Sequence, residues 1–259
     1  MELNRKNRGR KKVQEEILRL TIIALLSALG YVLMCLGKVQ VYPLASFLEL
    51  EISDAIVLVA YSMYGFVASF VVAILKTALN LLTFGPVGTP IPIGNIIAIC
   101  GSLFYSIGLL VLDKVFHIFS KNRWFRYLGY VILIVFVSFM MTLINYLFAT
   151  PTFLVYGAQF LTFVDVKNGL TEAGNQIGQT FTSMFNNSSY ELGIFIIYFP
   201  FNLIKGALVC LTYELIFNRV IFYVLKSGRF KNKIFMSRKE VKDEDKKEST
   251  TSVDSTKQD

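Results

Sequence analysis

The chain has 259 residues, of which 54% are hydrophobic and only 17% charged, and its mean hydropathy is +0.54. So much apolar surface excludes a soluble globular domain and predicts an all-α integral membrane protein, placed in the cell membrane with several passes. The formal net charge of +8 indicates membrane topology rather than nucleic-acid binding, because Lys and Arg concentrate at the chain ends and in one loop.

The sparse histidine and cysteine content argues against catalysis. His117 is the only histidine, and Cys35, Cys100 and Cys210 stand singly in apolar runs without C-x-x-C spacing. Ser–His or Cys–His catalysis and multi-histidine metal sites therefore have no partners. The Walker A pattern G-x-x-x-x-G-K-[ST] is also missing, so an ATP-driven step requires another protein. We expect no catalytic residue, no metal and no cofactor.

Six apolar runs predict six membrane-spanning helices, since about 20 helical residues cross a hydrocarbon layer of ~30 Å. The predicted spans are 20–36, 54–64, 66–83, 95–112, 127–149 and 192–222. Only Gly65 separates the second span from the third, which predicts a tight helical hairpin.

Lys and Arg are concentrated in the N-terminal segment, in the loop before the fifth span and in the tail. Short loops rich in these residues stay inside the cell, so an even number of spans places both termini in the cytoplasm. We expect a basic cytoplasmic segment at 1–19, a six-helix transmembrane domain at 20–225 and a charged cytoplasmic tail at 226–259. The tail is polar and of mixed charge, which is typical of disorder.

Three segments on the predicted outer side are unusual. Residues 37–53, GKVQVYPLASFLELEIS, are too apolar for an ordinary loop and predict an apolar lid between the first and second helices. Residues 84–94, FGPVGTPIPIG, contain three prolines and cannot form a regular helix. Residues 150–191 form a long polar connection.

The run FPFNLIKGALV, residues 199–209, places a lysine in an apolar helix. A lysine near the middle of a span costs roughly 2.5–3.5 kcal/mol on insertion scales, so Lys205 marks a functional site. Asn202 shares its helix face, and Pro200 lacks the N–H that would bond the carbonyl of Ile196. An amide beside an ammonium complements the carbonyl, N–H, carbonyl edge of a planar imide. The alternative is that Lys205 extends to the outer interface and Asn202 caps the turn after the proline.

Other polar residues in the spans have two interpretations each. Lys76 and Asn80, four residues apart on the third helix, line a cavity or brace the bundle. Asn95 opens the fourth helix after Gly94 and is an N-cap or a ligand contact.

Three acids, Glu49, Glu51 and Asp54, cluster where the second helix starts. Negative charge there suits the positive end of the helix dipole. A hydrolase with paired carboxylates would need a metal or a further acid, and the sequence supplies neither.

Three motifs carry a resemblance to a known family: PFNLIKG in the last helix, Asn145-Tyr146 followed by Pro151, and LEISDA before the second helix. Together they resemble the riboflavin-specific S components of energy-coupling factor (ECF) vitamin transporters, over most of residues 20–222. The resemblance implies a non-catalytic six-helix subunit that binds riboflavin from outside, as a transported ligand. Its implied partners are a transmembrane coupling subunit and two ATPases.

The resemblance also implies roles for particular residues. Those expected to hydrogen-bond the flavin ring system are Asn202, Lys205 and Asn145. Further expected ligand-binding residues are Leu44, Asn95 and Tyr146.

On the first helix, Ala24 and Ala28 form a small-x-x-x-small pair, which lets another helix approach closely in lipid. In the family the similar alanine face docks the coupling subunit, so the resemblance implies the same role for Ala24 and Ala28.

Two alternatives stay open. The same architecture could serve thiamine, folate or pantothenate, although an anionic vitamin calls for an arginine near the site and the predicted spans contain one only at Arg219, close to the end of the last span. An intramembrane lipid-modifying enzyme is the alternative of another class; such enzymes use Asp-rich or His-rich motifs that hold a metal.

Overall fold

The computed structural model describes residues 2–37, 39–40, 49–85, 92–116, 123–152 and 190–216. Six α-helices and one short ribbon account for most of these ranges. The helices are α1 Glu2–Leu36, α2 Asp54–Tyr64, α3 Phe66–Phe84, α4 Ile93–Phe116, α5 Arg123–Ile144 and α6 Tyr190–Ile216. Strands β1 (Val39–Gln40) and β2 (Glu49–Leu50) pair antiparallel between α1 and α2, and the π-helical segment Asn145–Ala149 continues α5.

Five helical stretches in the described ranges are long and apolar enough to cross a membrane. They are Glu16–Leu36, Phe66–Phe84, Ile93–Lys114, Trp124–Thr152 and Tyr190–Ile216. The sixth helix, α2, is apolar but has only 11 residues, about 16 Å of helix at 1.5 Å per residue. The prediction of an all-α, multi-pass membrane protein is confirmed, with α2 shorter than a full span.

Helix α2 is largely enclosed by neighbouring helices. It contacts α1, α3 and α4, and every residue from Asp54 to Tyr61 is buried. A helix that is apolar on all sides lies in a protein core or faces lipid, and the burial of these residues shows that the first turns of α2 are enclosed by protein. The start of α2 is therefore held inside the bundle, and any charged group there must find its partners within the protein.

The predicted hairpin between α2 and α3 is present. Gly65 alone separates the two helices, with φ of 83°, a left-handed backbone conformation that glycine adopts without steric cost.

Several predicted boundaries need correction. Helix α1 begins at Glu2 rather than at residue 20, so much of the basic N-terminal segment is helical. Ribbon β1–β2 occupies the two ends of the predicted lid, and residues 41–48 lie outside the described ranges. Most of the connections at 84–94 and 150–191, and the whole tail, also lie outside them. The cytoplasmic placement of both termini stays a prediction.

At the end of the bundle where α5 begins and α6 ends, polar side chains join three helices. Arg126 Nη2 lies 2.8 Å from Glu214 Oε1, and the Tyr130 hydroxyl donates to Glu214 Oε2 at 2.7 Å. The hydroxyls of Ser62 and Tyr213 are 2.5 Å apart. These contacts tie α6 to α5 and α2. Residues Met1–Glu214 form one compact unit; of the second, Leu215–Asp259, only the last two residues of α6 are described.

Candidate ligand-binding site

A closed ion pair lies where α2, α3 and α4 meet. Lys76 Nζ lies 2.7 Å from Asp54 Oδ1 and donates to Ser53 Oγ at 2.8 Å. The hydroxyl of Ser102 donates to the same Asp54 oxygen at 2.5 Å. All four residues are buried, and Lys76 is 0% exposed. The pair therefore braces three helices and leaves a ligand no access to Lys76.

Lys205 of α6 approaches the same aspartate from the other side. Its Nζ lies 3.4 Å from Glu51 Oε1 and 3.7 Å from Asp54 Oδ2. The Lys205 side chain keeps 15% of its surface exposed, whereas that of Asp54 keeps 1%. Asp54 thus gives one carboxylate oxygen to each lysine, and Lys205 occupies the accessible rim of the cluster.

The four charged groups of this cluster balance. Glu51 and Asp54 carry two negative charges, and Lys76 and Lys205 carry two positive ones. Taking ions out of water costs several kcal/mol each, and a buried charge persists only where a partner compensates it. The cluster is therefore formally neutral, and an uncharged ligand can bind without upsetting that balance.

The partners of Lys205 correct the sequence interpretation. The sequence places Asn202 on the same helix face as Lys205, but the ammonium of Lys205 lies beside the carboxylates of Glu51 and Asp54, which the sequence analysis related to the α2 dipole. Asp54 does lie in the first turn of α2. The alternative in which Lys205 extends to the outer interface stays a prediction, and the structure adds that its ammonium lies beside the two acids.

Asn202 and Asn145 share one local arrangement. The Nδ2 of Asn202 donates to the carbonyl of Tyr198 at 2.8 Å, and that of Asn145 donates to the carbonyl of Met141 at 2.8 Å. Each bond uses one amide N–H and reaches the carbonyl four residues back. An amide has a second N–H and an oxygen that accepts hydrogen bonds. Both buried side chains can thus offer a ligand a donor and an acceptor from a fixed orientation.

The backbone around both asparagines departs from a regular α-helix. Asn145 opens the π-helical segment Asn145–Ala149, a form that is rare and common at functional sites. Pro200 lies inside α6, which continues through it. Each departure loosens the ordinary i to i−4 hydrogen-bond ladder beside one of the side-chain amides.

Tyr146 lies beside a groove between α5 and α6. Its ring stacks on that of Tyr190 at 5.2 Å, and the Tyr190 hydroxyl donates to the Tyr146 carbonyl at 2.7 Å. The groove has a volume of about 320 Å³ and a mainly apolar lining: Phe139, Thr142, Leu143, Tyr146, Glu191, Ile194 and Phe195. Neither Lys205 nor Asn202 lines this groove, and the role of Tyr146 in ligand binding stays a prediction.

The remaining predicted residues fall into three groups. Asn95 lies inside the first turn of α4, which begins at Ile93, so its interpretation as an N-cap is wrong. Leu44 lies outside the described residues. Ala24 and Ala28 are exposed one turn apart on α1, as a docking face requires.

Lys76 and Asn80 both brace the bundle. The Asn80 amide donates to Cys35 Sγ of α1 at 3.7 Å, while Lys76 is fully buried against Asp54. Across the described residues, no three His, Cys, Asp or Glu side chains are grouped so that they could hold a metal ion.

The fold and the cluster define a multi-pass membrane protein with a neutral, partly accessible polar centre. The family model for the "ECF transporter, substrate-specific component" matches residues 18–217. The chain belongs to this family of transport components, which are not enzymes, and its place is in the cell membrane.

Known proteins that are similar to the chain include a curated relative and a solved structure. The "Riboflavin transporter RibU" of Staphylococcus aureus (strain TCH60) is 28% identical over 217 residues, covering 82% of this chain and 95% of the relative. A solved structure, "Structure and mechanism of the S component of a bacterial ECF transporter", covers 81% of this chain and 98% of its own, with 21% identity and a TM-score of 0.56. At that identity the structural likeness shows the fold alone.

Proposed function

We propose that the chain captures riboflavin from outside the cell and delivers it through an ECF module made of a transmembrane coupling subunit and two ATPases. The observation that carries the choice of riboflavin is the likeness to the Staphylococcus aureus riboflavin transporter, which extends over 82% of this chain. Because the family is the substrate-specific component, the energy for transport comes from the partner subunits.

The site we propose lies around Lys205, Asn202 and Asn145. Lys205 is the accessible end of a neutral cluster, so its ammonium can donate to a ring carbonyl of the isoalloxazine. Asn202 and Asn145 are each held by a bond to their own helix and offer the remaining donor and acceptor. An imide edge presents two carbonyls around one N–H, and these three side chains supply donors and acceptors of the kinds that such an edge requires.

Charge balance supports a neutral vitamin. Two acids face two lysines in the cluster, so a carboxylate of folate or pantothenate would add an unpaired negative charge in a poorly solvated place. An uncompensated charge there costs far more than a missing neutral contact. The uncharged ring system of riboflavin carries no such penalty.

We propose that Ala24 and Ala28 form the docking face for the coupling subunit. Both side chains are exposed on one face of α1, and small residues at this spacing let helices pack closely in lipid.

A binding titration tests the substrate. The protein is purified in detergent and riboflavin fluorescence is followed as protein is added, with thiamine and folate as competitors. We expect quenching that saturates at one riboflavin per chain and that neither competitor reverses. Equal competition by thiamine would reassign the substrate within the family.

A further inference from the structure

We infer that Asp54 is a positioning residue for the ligand: its Oδ2 holds the Lys205 ammonium where that group can donate to a carbonyl oxygen of a planar heteroaromatic ligand. This inference rests on the proposed function, in which Lys205 contacts riboflavin. Asp54 lies on another helix and does not touch the ligand, but it sets the position from which Lys205 contacts riboflavin.

The carboxylate of Asp54 is fixed through one oxygen. Its Oδ1 receives Lys76 Nζ at 2.7 Å and Ser102 Oγ at 2.5 Å. Lys76 is itself enclosed: a methyl group built on Gly30 of α1 would lie 3.4 Å from Lys76 Cδ. Four helices therefore surround this half of the cluster. The position of the Asp54 carboxylate is therefore fixed by its own contacts, and the flexible Lys205 side chain adjusts to it.

The other oxygen is left for Lys205. Asp54 Oδ2 is buried and has no hydrogen-bond partner among the described residues, and Lys205 Nζ is the cation 3.7 Å from it. A buried carboxylate oxygen without a hydrogen bond is costly. The attraction between this oxygen and the ammonium therefore stabilises one place for the end of a long, flexible side chain.

Two carboxylates share the ammonium, and they differ in their support. Glu51 precedes α2, directly after strand β2, and within the part of the chain that the structure describes its further hydrogen bond is a long one: Ser53 Oγ donates to it at 3.4 Å. Asp54 is held by two short bonds. Without Asp54, only Glu51 would restrain Lys205, and the ammonium would be drawn toward the ribbon. Ordering a free lysine upon binding then reduces affinity, since an immobilised flexible side chain loses rotamer entropy.

The test is a double-mutant cycle on riboflavin affinity. Asp54→Asn alone would strand the buried Lys76 charge, so the first arm is the charge-neutral pair Asp54→Asn with Lys76→Met. The second arm is Lys205→Met, and the third combines all three changes. The titration uses the full-length protein and riboflavin fluorescence, and Asn80→Leu is the control for a buried polar change on α3 whose amide contacts Cys35 of α1.

If Asp54 acts through Lys205, the charge-neutral pair weakens binding about tenfold in the parent, within the range of couplings measured between residues in contact. In the Lys205→Met background the same pair changes affinity by less than about twofold, the spread expected for independent sites. The absorption spectrum of bound riboflavin, which reports hydrogen bonds at its ring carbonyls, should shift in the same direction for the pair and for Lys205→Met.

Two results would overturn the inference and are distinguishable from each other. An equal loss of affinity in both backgrounds, or no loss in the parent, shows that Asp54 is only structural, while the proposed function stands. Unchanged affinity in Lys205→Met removes the proposed site, and the positioning role with it. If the charge-neutral pair does not fold, Ser102→Ala takes its place in the cycle: it frees Asp54 without changing charge, and it must weaken binding in the parent and not in Lys205→Met.

Discussion

The ammonium of Lys76 lies 2.7 Å from Oδ1 of Asp54, with the lysine side chain 0% exposed and the aspartate 1%. The two residues stand on adjacent helices joined only by Gly65. This pair closes the α2–α3 hairpin from inside and turns the second aspartate oxygen toward α6. The carboxylate of Asp54 thus links the enclosed Lys76 to the partly exposed Lys205.

Lys76→Met should destabilise the protein strongly, because it removes the cation 2.7 Å from the buried Asp54 and leaves Lys205 alone to compensate two acids. Breaking one partner of a buried pair costs roughly 3–5 kcal/mol. The measurement is thermal unfolding of the purified protein in detergent without riboflavin.

Lys205→Met is the matched control for that experiment, since it removes the same group from the rim of the same cluster. We expect it to lower the melting temperature less than Lys76→Met does, because Lys205 is partly exposed and lies 3.4 and 3.7 Å from its acids, while the 2.7 Å pair of Lys76 with Asp54 remains. Equal effects of the two substitutions would contradict the distinction between an enclosed and an accessible lysine.

Ala24→Trp and Ala28→Trp should each abolish riboflavin uptake by cells that contain a complete ECF module. An indole ring on this face prevents the close helix approach that small residues allow. Riboflavin binding by the isolated, purified variants should stay at the parent level, because α1 does not supply the proposed site.

Leu29→Trp is the control for the docking face. Leu29 is exposed on α1 but lies about 100° around the helix from Ala28, given 3.6 residues per turn. Uptake that survives both alanine substitutions, or that fails equally with Leu29→Trp, would place the docking face elsewhere.

Cysteine labelling tests the orientation expected from the charge distribution. In a variant without Cys35, Cys100 and Cys210, Ser188→Cys should react with an impermeant maleimide added outside intact cells. Ser227→Cys should react only after the cells are opened. The opposite pattern would invert the assigned topology.

Much of the fold follows from the local sequence. Apolar runs of span length predict the helices, and Gly65 marks the hairpin, because both signals depend only on neighbouring residues. The π-helical segment at Asn145–Ala149 was missed, since its apolar pattern is that of an ordinary helix. The early start of α1 was missed because its first residues are polar and charged.

The site was predictable only in part. A lysine in an apolar helix is recognised from the local sequence, so the residues around Lys205 are enough to mark it as a functional residue. Its partner Glu51 is 154 residues away in the chain, and such a pairing depends on how the helices pack. The helix-dipole interpretation of the acids considered only the start of α2. It therefore missed their pairing with Lys205 of α6. A lysine and an acid that both lack a local partner in apolar sequence can be expected to pair, and this signal could have linked Lys205 to Glu51.

Asn202→Leu should weaken riboflavin binding by about 1–3 kcal/mol, the cost of leaving a polar group of the ligand without a partner. Asn80→Leu is the matched control: it replaces another buried asparagine, whose amide contacts Cys35 rather than the proposed site. Titration of both variants by flavin fluorescence should show a loss of affinity only for Asn202→Leu. A loss of equal size in both would indicate a general effect of removing buried amides.

The most direct test of the central claim is the riboflavin affinity of Lys205→Met. Ile204→Met is the control, because it introduces the same side chain one residue earlier on the exposed side of α6. A hydrogen bond from a charged group is worth ~1.5–3 kcal/mol, so the account predicts a dissociation constant for Lys205→Met that is roughly 10- to 150-fold higher than that of the parent. Ile204→Met should bind as the parent does. A Lys205→Met protein that is folded and binds riboflavin as tightly as the parent would contradict the assignment of this cluster as the flavin site.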